Sequence, residues 1–178
     1  MTCIVVKVED GVVHMAGDKL GSNGYTKVLS DRPKVFINGD FIFGYTGSFR
    51  MGQLLEFSWS PPEQLNSQTD ERYIYKTTVD SIKSLFKEDG CGSDTKGGTF
   101  LFGYKGKAYK MQSDFAIFEI EDYDACGCGE DEAEASLYTM SKLSTSLSIK
   151  EQLELAIEAA SFRKCGVSKE FNYLTLGE

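Results

Sequence analysis

The chain has a single histidine, and its 19 lysines and arginines form no cluster. With only His14 available, a Ser–His or Cys–His pair would have to draw its base from inside an apolar strand, which argues against either triad. A net charge of -8 with scattered basic residues argues against a nucleic-acid backbone as partner. No apolar run approaches the length of a membrane span, and the first residues lack a signal peptide's basic start and apolar core. The expectation is a cytoplasmic protein without a membrane partner. Five cysteines are an odd number in such a chain, so reduced thiols are the default. Cys126-Gly127-Cys128 is too tightly spaced for a zinc knuckle, and His14 is far away in sequence, so no metal is expected. The glycine-rich stretch from Gly90 to Gly98 has neither Walker spacing nor a following Lys-Ser/Thr pair, and it reads as a connector. No cofactor is expected.

What is present suits one domain over residues 1–178, with the apolar and charged fractions of a globular protein. Cys3 to Val8 is nearly continuous in apolar residues, as in a strand covered on both faces. Asp10-Gly11 is a strong hairpin signal, so Val12 to Lys19 folds back on the first run and brings Asp18 towards Thr2. Gly21-Ser22-Asn23-Gly24 reads as a loop. Val35 to Ile37 and Phe41 to Phe43 flank a second hairpin at Asn38-Gly39-Asp40, which fixes Lys34 at a strand end. Ser48 caps a helix that buries Met51, Leu54 and Leu55. Tyr75, Val79, Ile82 and Phe86 give helical spacing within Asp70 to Lys87.

Further on, Thr99 to Phe102, Lys107 to Met111 and Phe115 to Ile120 read as strands. Cys126 to Gly129 reads as a turn into a helix over 130–143, whose acidic front suits a helix N-terminus. Ser148 with Glu151 forms a capping box for the last helix, with Gly166 as its stop. Phe171 to Leu176 closes the chain as a strand. Strands arrive in pairs without interleaved crossover helices, which disfavours a doubly wound parallel sheet. The predicted class is α+β: a four-layer α-β-β-α sandwich of two mainly antiparallel sheets flanked by helix pairs.

Thr2 directly follows Met1, and methionine aminopeptidases generally remove methionine before so small a residue. A free Thr2 would carry a nucleophile and a base in one residue, the hydroxyl attacking while the α-amine takes the proton. Such an amine has an ordinary pKa of roughly 7.7–8.0. Taken alone, a Met-Thr start is more often the first residue of an ordinary strand.

The order of short motifs adds to it. Gly17-Asp18-Lys19, Pro33-Lys34-Val35, Gly44-Tyr45-Thr46-Gly47-Ser48 and the stretch from Ala125 to Ser136 follow Thr2 at spacings that resemble proteasome β-type subunits, above all the HslV-type threonine peptidases. The resemblance is strongest over residues 2–52 and fair around 125–140. It implies an Ntn-hydrolase-like fold with Thr2 as nucleophile, Lys34 lowering the pKa of its amine, Asp18 holding Lys34, and the Gly47 N–H binding the oxyanion. Cys128 stands where the family has a serine that orients the amine. After the last helix the family often has an aspartate and a serine; here Ser168 is the serine in reach, and no acid accompanies it. The resemblance also implies a peptide or unfolded-protein substrate, a homo-oligomeric ring and an ATP-dependent unfoldase as partner. The alternative is a proteasome-like scaffold or assembly protein with weak or no activity. A thiol enzyme using Cys128 or Cys3 is a third, minor reading.

Overall fold

The structure is a computed structural model that describes residues 1–22, 25–29, 32–91, 97–143 and 145–177. Parts of the predicted 21–24 loop and of the 90–98 connector lie outside the described residues. Strands β1 (Cys3–Glu9) and β2 (Val12–Asp18) form the predicted hairpin. Asp10 and Gly11 both take left-handed backbone angles, φ 50° and 75°, as a tight two-residue turn requires. That turn sets the register Ile4↔Gly17 and so brings Asp18 alongside Cys3.

Two short strands follow, β3 (Leu20–Ser22) and β4 (Lys27–Leu29), which pair with each other. The sequence reading placed a loop at 21–24 and assigned nothing to 27–29; three-residue strands offer no periodicity to detect. Next come β5 (Val35–Asn38) and β6 (Phe41–Tyr45), joined at Gly39 with φ 58°. Helix α1 (Phe49–Phe57) is capped by Ser48, whose hydroxyl accepts from the Met51 N–H. The predicted 70–87 helix is a rod of three parts: α2 (Asp70–Arg72), a π-helical segment (Tyr73–Thr78) and α3 (Val79–Glu88).

Strands β7 (Phe100–Tyr104), β8 (Lys107–Met111) and β9 (Ile117–Ile120) continue the sheet begun by β5 and β6. Phe115 belongs to the turn before β9, not to the strand: its φ is 68°. Strand β10 (Tyr123–Gly127) is a correction to the sequence reading, which took Cys126 and Gly127 as turn. It is an edge strand paired with β1. Helices α4 (Glu130–Lys142) and α5 (Ile149–Arg163) follow, with the Ser148–Glu151 capping box in place. Helix α5 stops at Lys164 in an extended conformation, so Gly166 is not its terminator. Strand β11 (Phe171–Leu176) adds to β2.

Among the described residues all pairings are antiparallel, in the orders β10-β1-β2-β11 and β5-β6-β7-β8-β9 with the separate β3-β4 pair. Strand β1 explains the layering. Ile4 and Val6 point into the seam between the sheets, with Met15, Ile42 and Leu101, whereas Cys3 and Val5 point at α4 and α5, with Leu137, Leu153 and Ile157. Burial on both faces is why its sequence is apolar without alternation. An aromatic core of Phe41, Phe43, Phe86, Phe100, Phe102 and Trp59 fills the space between the five-stranded sheet and α1 and α3. The predicted four-layer α+β sandwich is the architecture observed.

Candidate active site

Thr2 enters β1 almost fully buried, 4% exposed. The β10–α4 turn wraps it. Cys128 Sγ accepts from the Thr2 backbone nitrogen at 3.3 Å, and the Gly129 N–H donates to the Thr2 carbonyl at 3.3 Å. Gly127 packs so closely that a Cβ there would stand 2.2 Å from the Thr2 oxygen. Only glycine fits, and its φ of 102° also favours glycine.

Asp18 ends β2 in full burial and gathers four donors. Its Oδ1 accepts from the Cys3 N–H at 2.8 Å and from Lys34 Nζ at 2.7 Å. Its Oδ2 accepts from the N–H groups of Leu20 at 3.0 Å and Ser168 at 3.3 Å. Lys34 is 1% exposed and also donates to the Leu20 carbonyl at 2.7 Å. Burial drives the Lys34 ammonium below the ordinary lysine pKa, while the charge and hydrogen bond of Asp18 oppose that. A lysine and an aspartate this deep are rare without such pairing. Because Lys34 and Cys3 share one carboxylate oxygen, the ammonium lies beside the Thr2–Cys3 backbone.

Gly47 lies on the loop between β6 and α1, with φ 77°, and a Cβ there would meet the Gly97 carbonyl at 2.2 Å. Thr46, its neighbour, packs against Gly127 under Thr2. Among the described residues no acceptor takes the Gly47 N–H. The thiols differ sharply. Burial pushes the Cys3 and Cys126 thiols well above their ordinary value, which removes both as thiolate nucleophiles at neutral pH. Cys128 is exposed.

The structure therefore brings together Thr2, Asp18, Lys34 and Cys128, with Gly47 on the adjoining loop. It adds one connection the sequence did not reveal. Ser168 reaches the site through its backbone N–H on Asp18, while its hydroxyl accepts from the Lys19 N–H at 3.2 Å and donates to the Glu170 carbonyl at 2.9 Å. Met1 is still joined to Thr2, whose hydroxyl donates to the Met1 carbonyl. Gly166 packs against the Met1 side chain. In this form the Thr2 nitrogen is an amide and not an amine.

No protein-family model matches the chain, and no curated protein matches it by sequence. Solved structures do match it. BPH from Thiobacillus denitrificans superimposes with a TM-score of 0.84 at 16% identity, over 99% of this chain and 98% of that one. The same protein in complex with epoxomicin gives 0.83 at 17% identity, over the same shares. HslV from Trypanosoma brucei gives 0.72 at 15% identity, covering 99% of this chain and 100% of that one. The chain shares the fold of BPH and HslV. An Anbu (Gly-1) mutant from Hyphomicrobium sp. strain MC1 gives 0.71 at 13% identity, over 97% of this chain and 80% of that one.

Proposed function

We propose that the protein is a threonine peptidase whose nucleophile is the Thr2 hydroxyl, freed with its α-amine when Met1 is removed. The observation that carries this reading is the buried Lys34–Asp18 pair at the Thr2–Cys3 backbone. An ammonium held there disfavours a second positive charge on the Thr2 amine, lowers its pKa and leaves it a neutral base near pH 7. The hydroxyl then attacks a peptide carbonyl while the amine takes its proton. The Gly47 N–H receives the developing oxyanion, and the amine returns the proton to the leaving nitrogen. Water activated by the same amine hydrolyses the resulting ester and restores Thr2. Cys128 supplies the acceptor that holds the amine in register.

The likeness to HslV and BPH supports a homo-oligomeric ring that encloses the sites, a cytoplasmic setting, a peptide or unfolded-protein substrate and an ATP-driven unfoldase as partner. The test joins two measurements. Intact mass spectrometry reads whether Met1 is gone, and an epoxyketone such as epoxomicin, which needs both a hydroxyl and a free amine, reads the site. Processed protein is expected to gain one adduct at Thr2, and Thr2→Ala none. A processed protein that takes no adduct overturns the peptidase reading.

A second reading has Cys128 in its favour, a weaker partner for the Thr2 nitrogen than a hydroxyl would be. With Met1 attached, the Thr2 nitrogen cannot act as a base. A protein that keeps Met1 in the cell would be a scaffold with this fold, and the same mass measurement separates the two.

A further inference from the structure

The β10–α4 turn that holds Thr2 is itself spanned by a charged cluster which plays no part in the proposed reaction. Lys110 lies on β8 and points, like Ala108, towards the four-stranded sheet. Its Nζ lies 2.9 Å from Asp124 on β10, 2.7 Å from Glu130 in the first turn of α4 and 3.6 Å from Glu134 one turn on. Oxygens of the three carboxylates all lie within 4.8 Å of one another. One ammonium thus faces three carboxylates, so a fully ionised cluster holds an excess negative charge in a partly buried seam.

The placement matters. Asp124 stands three residues before the turn at Gly127, Cys128 and Gly129; Glu130 follows it directly, and Glu134 projects from the same helix. The two limbs of the turn are therefore tied by Asp124 on one side and Glu130 and Glu134 on the other. The turn makes three contacts to Thr2: the Gly127 packing, the Cys128 sulfur and the Gly129 N–H.

We infer that the Asp124–Glu134 carboxyl pair, clamped by Lys110, is a proton-operated staple across this turn, tightening its hold on Thr2 when the pair shares a proton and loosening it when the proton leaves. The regulatory consequence rests on the reading of Thr2 as nucleophile, whereas the staple does not. Burial first, then the hydrogen bond and charge of Asp124, push the Glu134 carboxyl up to about 7; Lys110 opposes this and Glu130 adds to it. Burial works against the Lys110 ammonium, but its bonds to Glu130 and Asp124 outweigh that and hold it above the ordinary lysine value. Among the described residues the buried Cys126 thiol also feels the charges of Lys110, Glu130 and Asp124, and burial keeps it neutral.

The direction follows from linkage. In the opened turn Glu134 returns to its ordinary pKa, below that of the closed turn. Opening therefore becomes easier as pH rises from the ordinary carboxylate range towards about 7, and levels off above it. Hydrogen exchange of the 127–129 amides on the full chain reads this without any need for activity. After correction for intrinsic rates, uptake is expected to rise several-fold from about pH 5 to about pH 7 in the wild type. Glu134→Gln, which keeps the polar bridge and cannot ionise, removes the rise; Asp124→Asn also removes it, and Glu130→Gln keeps it. Identical pH dependence in wild type and Glu134→Gln overturns the staple. In Met1-free protein the epoxyketone should label Glu134→Gln several-fold faster than wild type near pH 7 and equally fast near pH 5. An exchange step without labelling at any pH leaves the staple standing and removes the peptidase reading, whereas labelling without an exchange step removes the staple alone.

Discussion

Lys34 and Cys3 meet on a single oxygen of Asp18, one through its ammonium and the other through its backbone N–H. The carboxylate therefore does two things at once. It neutralises a charge that burial alone would not tolerate, and it fixes the first strand residue after Thr2 relative to that charge. Asp18→Ala leaves the Lys34 ammonium buried without a counter-charge and should cost about 3–5 kcal/mol in denaturant unfolding. Lys34→Met should cost clearly less, because Asp18 keeps the N–H groups of Cys3, Leu20 and Ser168. Equal costs for the two variants would show that the carboxylate is not held by its backbone donors.

Much of this corner could be read from residue order because it is local. The Asp10-Gly11 turn dictates the β1–β2 register, and the register alone brings Asp18 beside Cys3. The Ser48 and Ser148 caps likewise carry their own signals. What escaped the sequence depends on tertiary contacts. Strand β10 is an edge strand of Tyr-Asp-Ala-Cys-Gly, with no β-branched run and a glycine-rich turn after it, and only β1 makes it a strand. The Ser168 N–H reaches Asp18 across nearly the whole chain, and the Lys110 cluster joins two strands and a helix. Neither leaves a spacing to recognise.

Lys34 should also tune the Thr2 amine. In Met1-free protein, Lys34→Met removes the neighbouring positive charge, so the ammonium form of the amine is no longer disfavoured and its pKa rises. The acid limb of the pH profile for epoxyketone labelling should move up by about one unit. Reduced labelling at every pH with an unmoved limb would mean that Lys34 acts only as a structural pin.

At Gly47 the backbone permits little else. Alanine would have to hold φ near 77° with its Cβ 2.2 Å from the Gly97 carbonyl, so the loop must shift. The strain should cost about 1–3 kcal/mol of stability. If the Gly47 N–H binds the oxyanion, peptide turnover should fall by about 10²-fold or more with little change in KM. A variant as unstable as expected but with full turnover would leave Gly47 as a turn residue only.

Cys128 can be tested by the conservative exchange. Its sulfur accepts from the Thr2 nitrogen at 3.3 Å, and a serine hydroxyl at the same place is a stronger acceptor. Cys128→Ser should therefore label at least as fast as the wild type, while Cys128→Ala loses the bond and should label about 2–10-fold more slowly, corresponding to about 0.5–1.5 kcal/mol. The exposed thiol also allows an independent check. Iodoacetamide should block labelling of the wild type by filling the space at Thr2, and should leave the labelling of a Cys128→Ser, Cys165→Ser variant unchanged, since Cys3 is buried with its thiol protonated. If hydrolysis persists in Thr2→Ala and disappears on alkylation of Cys128, the nucleophile is the thiol and the threonine reading fails.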